Sequence, residues 1–66
     1  MREDRKQIYF TALEIAKIWA NLPNWRFGQL IYNFEKVMEE EGRDIFYMEE
    51  DELIQRLREC VEQFTT

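Results

Sequence analysis

Two interruptions constrain this chain more than anything else in it. Asn21-Leu22-Pro23-Asn24 and Glu41-Gly42 break an otherwise helical spacing of apolar residues, leaving three segments, each long enough for one helix. The residue before a proline is pushed out of the α region, and a glycine after helix formers suits a left-handed C-cap. We therefore expect an all-α, compact three-helix domain with helices at about 4–20, 25–41 and 49–63. At 66 residues there is room for one domain, 1–66, and no second.

Each segment carries its own stripe. In the first, Ile8, Ala12, Ile15, Trp19 and Leu22 recur at spacings of four and three, and Tyr9, Leu13, Ala16 and Ala20 widen that face. In the second, Phe27, Leu30, Ile31, Phe34, Val37 and Met38 fall in an arc of roughly 120°, with Asn24 as the expected N-cap. The third stripe is Leu53, Ile54, Leu57, Cys60, Val61 and Phe64. Glu49, Glu50, Asp51 and Glu52 crowd its first turn, where the helix dipole favours anions. Between the second and third helices, the apolar end of Arg43-Asp44-Ile45-Phe46-Tyr47-Met48 is expected to lie extended across the core. A domain this small buries only about 60% of its unfolded surface, so self-association through the wide face of the first helix would add stability.

Composition excludes several function classes. The chain has no histidine and no serine, which removes Ser-His and Cys-His nucleophiles and imidazole-based metal sites. Cys60, the single cysteine, lies on the buried stripe near a helix C-terminus, so it reads as a core residue, not a nucleophile. Glu39-Glu40-Glu41-Gly42-Arg43-Asp44 lacks the alternating oxygens of a calcium loop. No catalytic, cofactor or metal site is expected, and the chain reads as a non-enzyme. No apolar run approaches the roughly 20 residues of a membrane span, and the polar start lacks a signal-peptide core. Together with the lone cysteine, this gives a cytoplasmic expectation and no membrane partner.

The net charge of −5 is unevenly spread. Arg2, Arg5, Lys6, Lys17, Arg26 and Lys36 outnumber Glu3, Asp4, Glu14 and Glu35 in residues 1–38, whereas residues 39–52 set eight acids against Arg43 alone. An acidic balance opposes general nucleic-acid binding, which needs a basic footprint. Within the belt, Glu39, Glu40, Glu41 and Asp44 form a candidate acidic patch. Glu39–Glu41 sit where the helix dipole disfavours anions, so either Arg43 offsets them or they meet a basic partner.

The second helix offers the other candidate surface. Arg26, Gln29, Asn33 and Lys36 align opposite its core stripe, bordered by Trp25 and Tyr32. Arginine, glutamine and asparagine are the side chains that read base edges, so a helix-turn-helix regulator is one alternative. Another is an acidic nucleic-acid mimic blocking a basic enzyme through residues 39–52. The leading expectation is a non-enzymatic interaction module that binds a protein partner or itself. Gly28 interrupts this helix at a cost of about 0.5–1 kcal/mol, which predicts close approach of another backbone or access for a partner.

Arg26-Phe27-Gly28-Gln29-Leu30-Ile31-Tyr32-Asn33, followed by Asp44-Ile45-Phe46-Tyr47-Met48-Glu49-Glu50-Asp51-Glu52-Leu53, resembles a family of short bacterial and phage-encoded proteins. That family carries R-x-G-Q-L-I-x-N and then D-P-F-Y-x-E-D-D-E-L; Ile45 stands here in place of the proline. The resemblance covers roughly half the chain and supplies no activity. It implies an accessory role for a phage or mobile element, with any site on the face of Arg26, Gly28, Gln29 and Asn33.

Overall fold

Pro23 and Gly42 end helices where the spacing predicts. The computed structural model describes residues 5–65, and among them lie α1 (Arg5–Trp19), α2 (Phe27–Glu40), a single 3₁₀ turn (Ile45–Tyr47) and α3 (Glu50–Thr65). No strand occurs among the described residues. The expected start of the first helix at Asp4 lies outside them.

The first corner forms by tightening the helix end. Asn21 N–H donates to Ile18 O and Leu22 N–H to Trp19 O, and then Trp25 N–H closes a turn onto Leu22 O with Pro23 at its second position. Trp25 therefore sits in the corner and does not start a helix. Its carbonyl accepts the Trp19 indole N–H at 2.7 Å. Asn24 is not the cap: Arg26 is the N-cap residue, and its N–H donates to Oε1 of Gln29 at 2.7 Å. A glutamine three residues into the helix does here what an asparagine before it is expected to do.

The second corner is a Schellman motif. Gly42 has φ of +74°, its N–H donates to Glu39 O, and Arg43 N–H reaches back to Met38 O. The connection after it is not extended, because Asp44 Oδ1 accepts from Phe46 N–H at 2.9 Å and winds the chain into the 3₁₀ turn. That turn sends Ile45 and Met48 to the core and leaves Phe46 and Tyr47 in solvent.

α3 is the helix that both others pack against. The core comprises Ile18 and Leu22 from the α1 side, Leu30, Phe34 and Met38 of α2, and Leu57, Cys60 and Val61 of α3. Burial raises the Cys60 thiol above its ordinary pKa and keeps it neutral, as a core thiol should be. Rings close the open end: Trp19 meets Phe27 at 5.3 Å between centroids and Trp25 meets Phe64 at 5.0 Å. Ion pairs tie the elements at the rim, with Arg58 on Glu14 between α3 and α1 at 3.3 Å and Arg56 on Glu41 between α3 and the end of α2.

One expected stripe is rotated. Ile18, not Ile8 or Ala12, is the buried residue of α1, with Ile15 and Trp19 half-buried beside it. At 100° per residue this is a roll of roughly 60° from the stripe centred on Ile8, Ala12 and Trp19. The roll brings Glu14 over α3, where Arg58 pairs with it, and turns Tyr9 and Leu13 outward.

Candidate functional site

The roll of α1 exposes a second apolar face. Ile8 is 53% exposed, Tyr9 71% and Leu13 54%, and Ala12, Ala16 and Ala20 are exposed beside them. Tyr9, Leu13, Ala16 and Ala20 fall within roughly 60° of one another, on the side of the helix away from Ile18. An apolar side chain in water forgoes about 25 cal/mol per Å² of the stabilisation that burial would give. Scattered exposed residues are ordinary, but these lie together on one helix, and contiguous patches of this kind mark contact surfaces. Arg5 lies on one edge of the face and Lys6 and Lys17 on the other. The one carboxylate of α1, Glu14, is turned away toward Arg58, with Lys17 also on it at 3.3 Å.

The sequence contains the signal for this face, but periodicity merges Tyr9, Leu13, Ala16 and Ala20 with the core stripe as its widening. Which part of a wide apolar face is buried depends on the neighbouring helix, and periodicity carries no information about that.

The α2 surface is occupied with local work. Gln29 supports the N-terminus through Oε1, and Asn33 Nδ2 donates to Gln29 O at 2.8 Å. Lys36 lies over the Tyr32 ring, 5.8 Å from its centroid. Trp25 does not border this surface; it is half-buried with its ring on Phe64. Gly28 has no φ in the left-handed region, and a Cβ there would meet nothing within 4 Å. No backbone among the described residues approaches it closely, so close packing within the chain does not account for this glycine.

The acidic patch is likewise divided. Glu41 pairs with Arg56, and Asp44 caps the 3₁₀ turn. Arg43 pairs with Glu52 across the corner and offsets none of Glu39–Glu41 through an ion pair of its own. Glu39 and Glu40 remain exposed. Sequence reasoning gives no surface role to the pair Phe46 and Tyr47, 80% and 78% exposed and in edge-to-face contact with centroids 4.9 Å apart. Their apolar neighbours suggest a core-crossing segment, and only the turn made by Asp44 turns them out.

No group of three or more cysteines and carboxylates among the described residues is arranged to hold a metal ion. No helix among them is long and apolar enough to cross a membrane. Comparison of the chain with protein-family models, curated proteins and solved structures finds no match.

Proposed function

We propose that this chain is a non-enzymatic protein-interaction module and that α1 is its docking element. The observation that carries this reading is the outward placement of Tyr9 and Leu13 on the side of α1 away from the core. Interfaces draw most of their energy from a few anchors, among which tyrosine is enriched, and Leu13 one turn on extends the apolar area around Tyr9. The resemblance of the 26–33 and 44–53 blocks to short phage and bacterial proteins supports a role in the service of a phage or mobile element.

The nucleic-acid alternatives draw less support. A base-reading helix needs the amides of Gln29 and Asn33 free, yet Gln29 Oε1 accepts from the Arg26 N–H and Asn33 Nδ2 donates to the Gln29 carbonyl one turn back. A nucleic-acid mimic needs a continuous acidic surface, and Glu41 and Asp44 are engaged within the fold.

The test is an affinity capture with two baits, the parent chain and a Tyr9→Gln/Leu13→Gln variant, from a lysate of the cell that makes the protein. The parent should retain a binding protein that the variant loses. Equal recovery on both baits would place the interaction elsewhere and sink the assignment to α1.

A further inference from the structure

The charges around the α1 face discriminate among the molecules that could cover it, given the reading that this face docks a protein. α1 carries Arg5, Lys6 and Lys17 against Glu14 alone, a positive helix in a chain of net charge −5. The cations border the apolar face on both edges. Glu14 is shared between Arg58 of α3 and Lys17, each at 3.3 Å. Arg5 is thus the cation with no acid of α1 beside it, and Lys17 holds its acid only through an exposed pair. A second copy of α1 fits this pattern badly. Laid antiparallel about Ala12 and Leu13, it would set Lys17 within a helical turn of the other copy's Lys6; laid parallel in register, it would set Lys17 on Lys17. Like charges juxtaposed at an interface suppress a partner, while opposite ones select it.

The relief of the face suits a helix. Tyr9 and Leu13, four apart, form a ridge, and Ala12, Ala16 and Ala20, also four apart, form the furrow beside it. Ridges and furrows at that spacing are what a packed helix interdigitates with. Strand addition would need an open sheet edge, and the described residues contain no strand. We propose that the α1 face binds an amphipathic helix of another protein, one whose apolar stripe is flanked by carboxylates that meet Arg5 and, in exchange for its exposed pair with Glu14, Lys17.

Two labelled synthetic helices with the same leucine stripe test this, one flanked by glutamates and the other by lysines, each titrated against the full chain by fluorescence anisotropy. The glutamate helix should bind at least about ten-fold more tightly at low salt, with the preference shrinking at high salt. Arg5→Glu/Lys17→Glu should reverse the preference, and Tyr9→Gln/Leu13→Gln should abolish binding of the glutamate helix, with circular dichroism unchanged in both variants. Equal affinity for the two helices, lost in Tyr9→Gln/Leu13→Gln, would overturn the acidic partner while leaving α1 as the docking element. Binding that survives that variant, or no binding of either helix, would overturn both. Concentration-dependent dimerisation in sedimentation, lost in the same variant, would assign the face to a second copy. Tighter binding to phosphatidylserine vesicles than to the glutamate helix would assign it to a lipid surface. Either result overturns the proposal.

Discussion

α1 and α3 are nearly equal in length, at 15 and 16 residues, and meet opposite fates. α3 lies between two neighbours and buries Leu57, Cys60 and Val61, with its charged residues gathered on the remaining surface. α1 packs chiefly on α3, has two apolar sides, and buries only Ile18. An apolar stripe is a demand for a partner; α2 and α3 each bury three residues, whereas α1, with apolar residues on two sides, can turn only one side to the core. What α1 cannot bury within the chain it presents outside it.

The contrast can be broken by mutation. Phe34 of α2 is fully buried in the shared core, so Phe34→Ala should cost about 3–5 kcal/mol through lost burial and a residual cavity. A core of this size rarely supplies more than about 3–5 kcal/mol in all, so the variant should be largely unfolded at room temperature by circular dichroism. A folded Phe34→Ala would mean that the α2–α3 packing is not the centre of stability.

Trp19→Phe probes the corner that joins the well-packed part to the open one. It removes the indole donor to Trp25 O, and denaturant unfolding should show a loss of about 1–2 kcal/mol. Gly28→Ala should act in the other direction, stabilising by about 0.5–1 kcal/mol, because a methyl group there enters open space on a helix. A destabilised Gly28→Ala would show that this surface of α2 is packed against something in solution.

The smallest effect is expected at the exposed face. Leu13→Gln should change stability by no more than about 0.5 kcal/mol, since the side chain is already in water in the isolated chain and glutamine is a good helix former. A loss comparable to that of Phe34→Ala, measured by the same unfolding curve, would erase the distinction between the two helices.

Much of the fold is legible in residues adjacent in the chain. Pro23 and Gly42 act through backbone sterics within a few residues, so the number of helices and their approximate ends come from local chemistry alone. The stripes of α2 and α3 are legible too, because each helix has a single apolar side, except that Phe27 and Phe64, expected in the core, lie at the outer ends of their stripes and stay 48% and 44% exposed. The N-cap falls at Arg26, two residues beyond the expected Asn24, because the turn at Pro23 extends through Trp25 and the cap partner comes from Gln29 inside the helix.

The candidate site lies beyond that reach. α1 offers a wide apolar arc, and periodicity weighs all of it alike. The side of that arc that turns inward is chosen by α3, a helix more than thirty residues away in the chain, through the packing around Ile18 and Leu22 and the meeting of Arg58 with Glu14. Phe46 and Tyr47 are likewise undecided until Asp44 winds the connection and Ile45 and Met48 claim the available core. Helix beginnings and ends are thus written in the chain itself, because capping and steric exclusion act over a few bonds. The apolar residues that stay in water are chosen only when the helices pack, because burial is a competition for a core too small to hold them all.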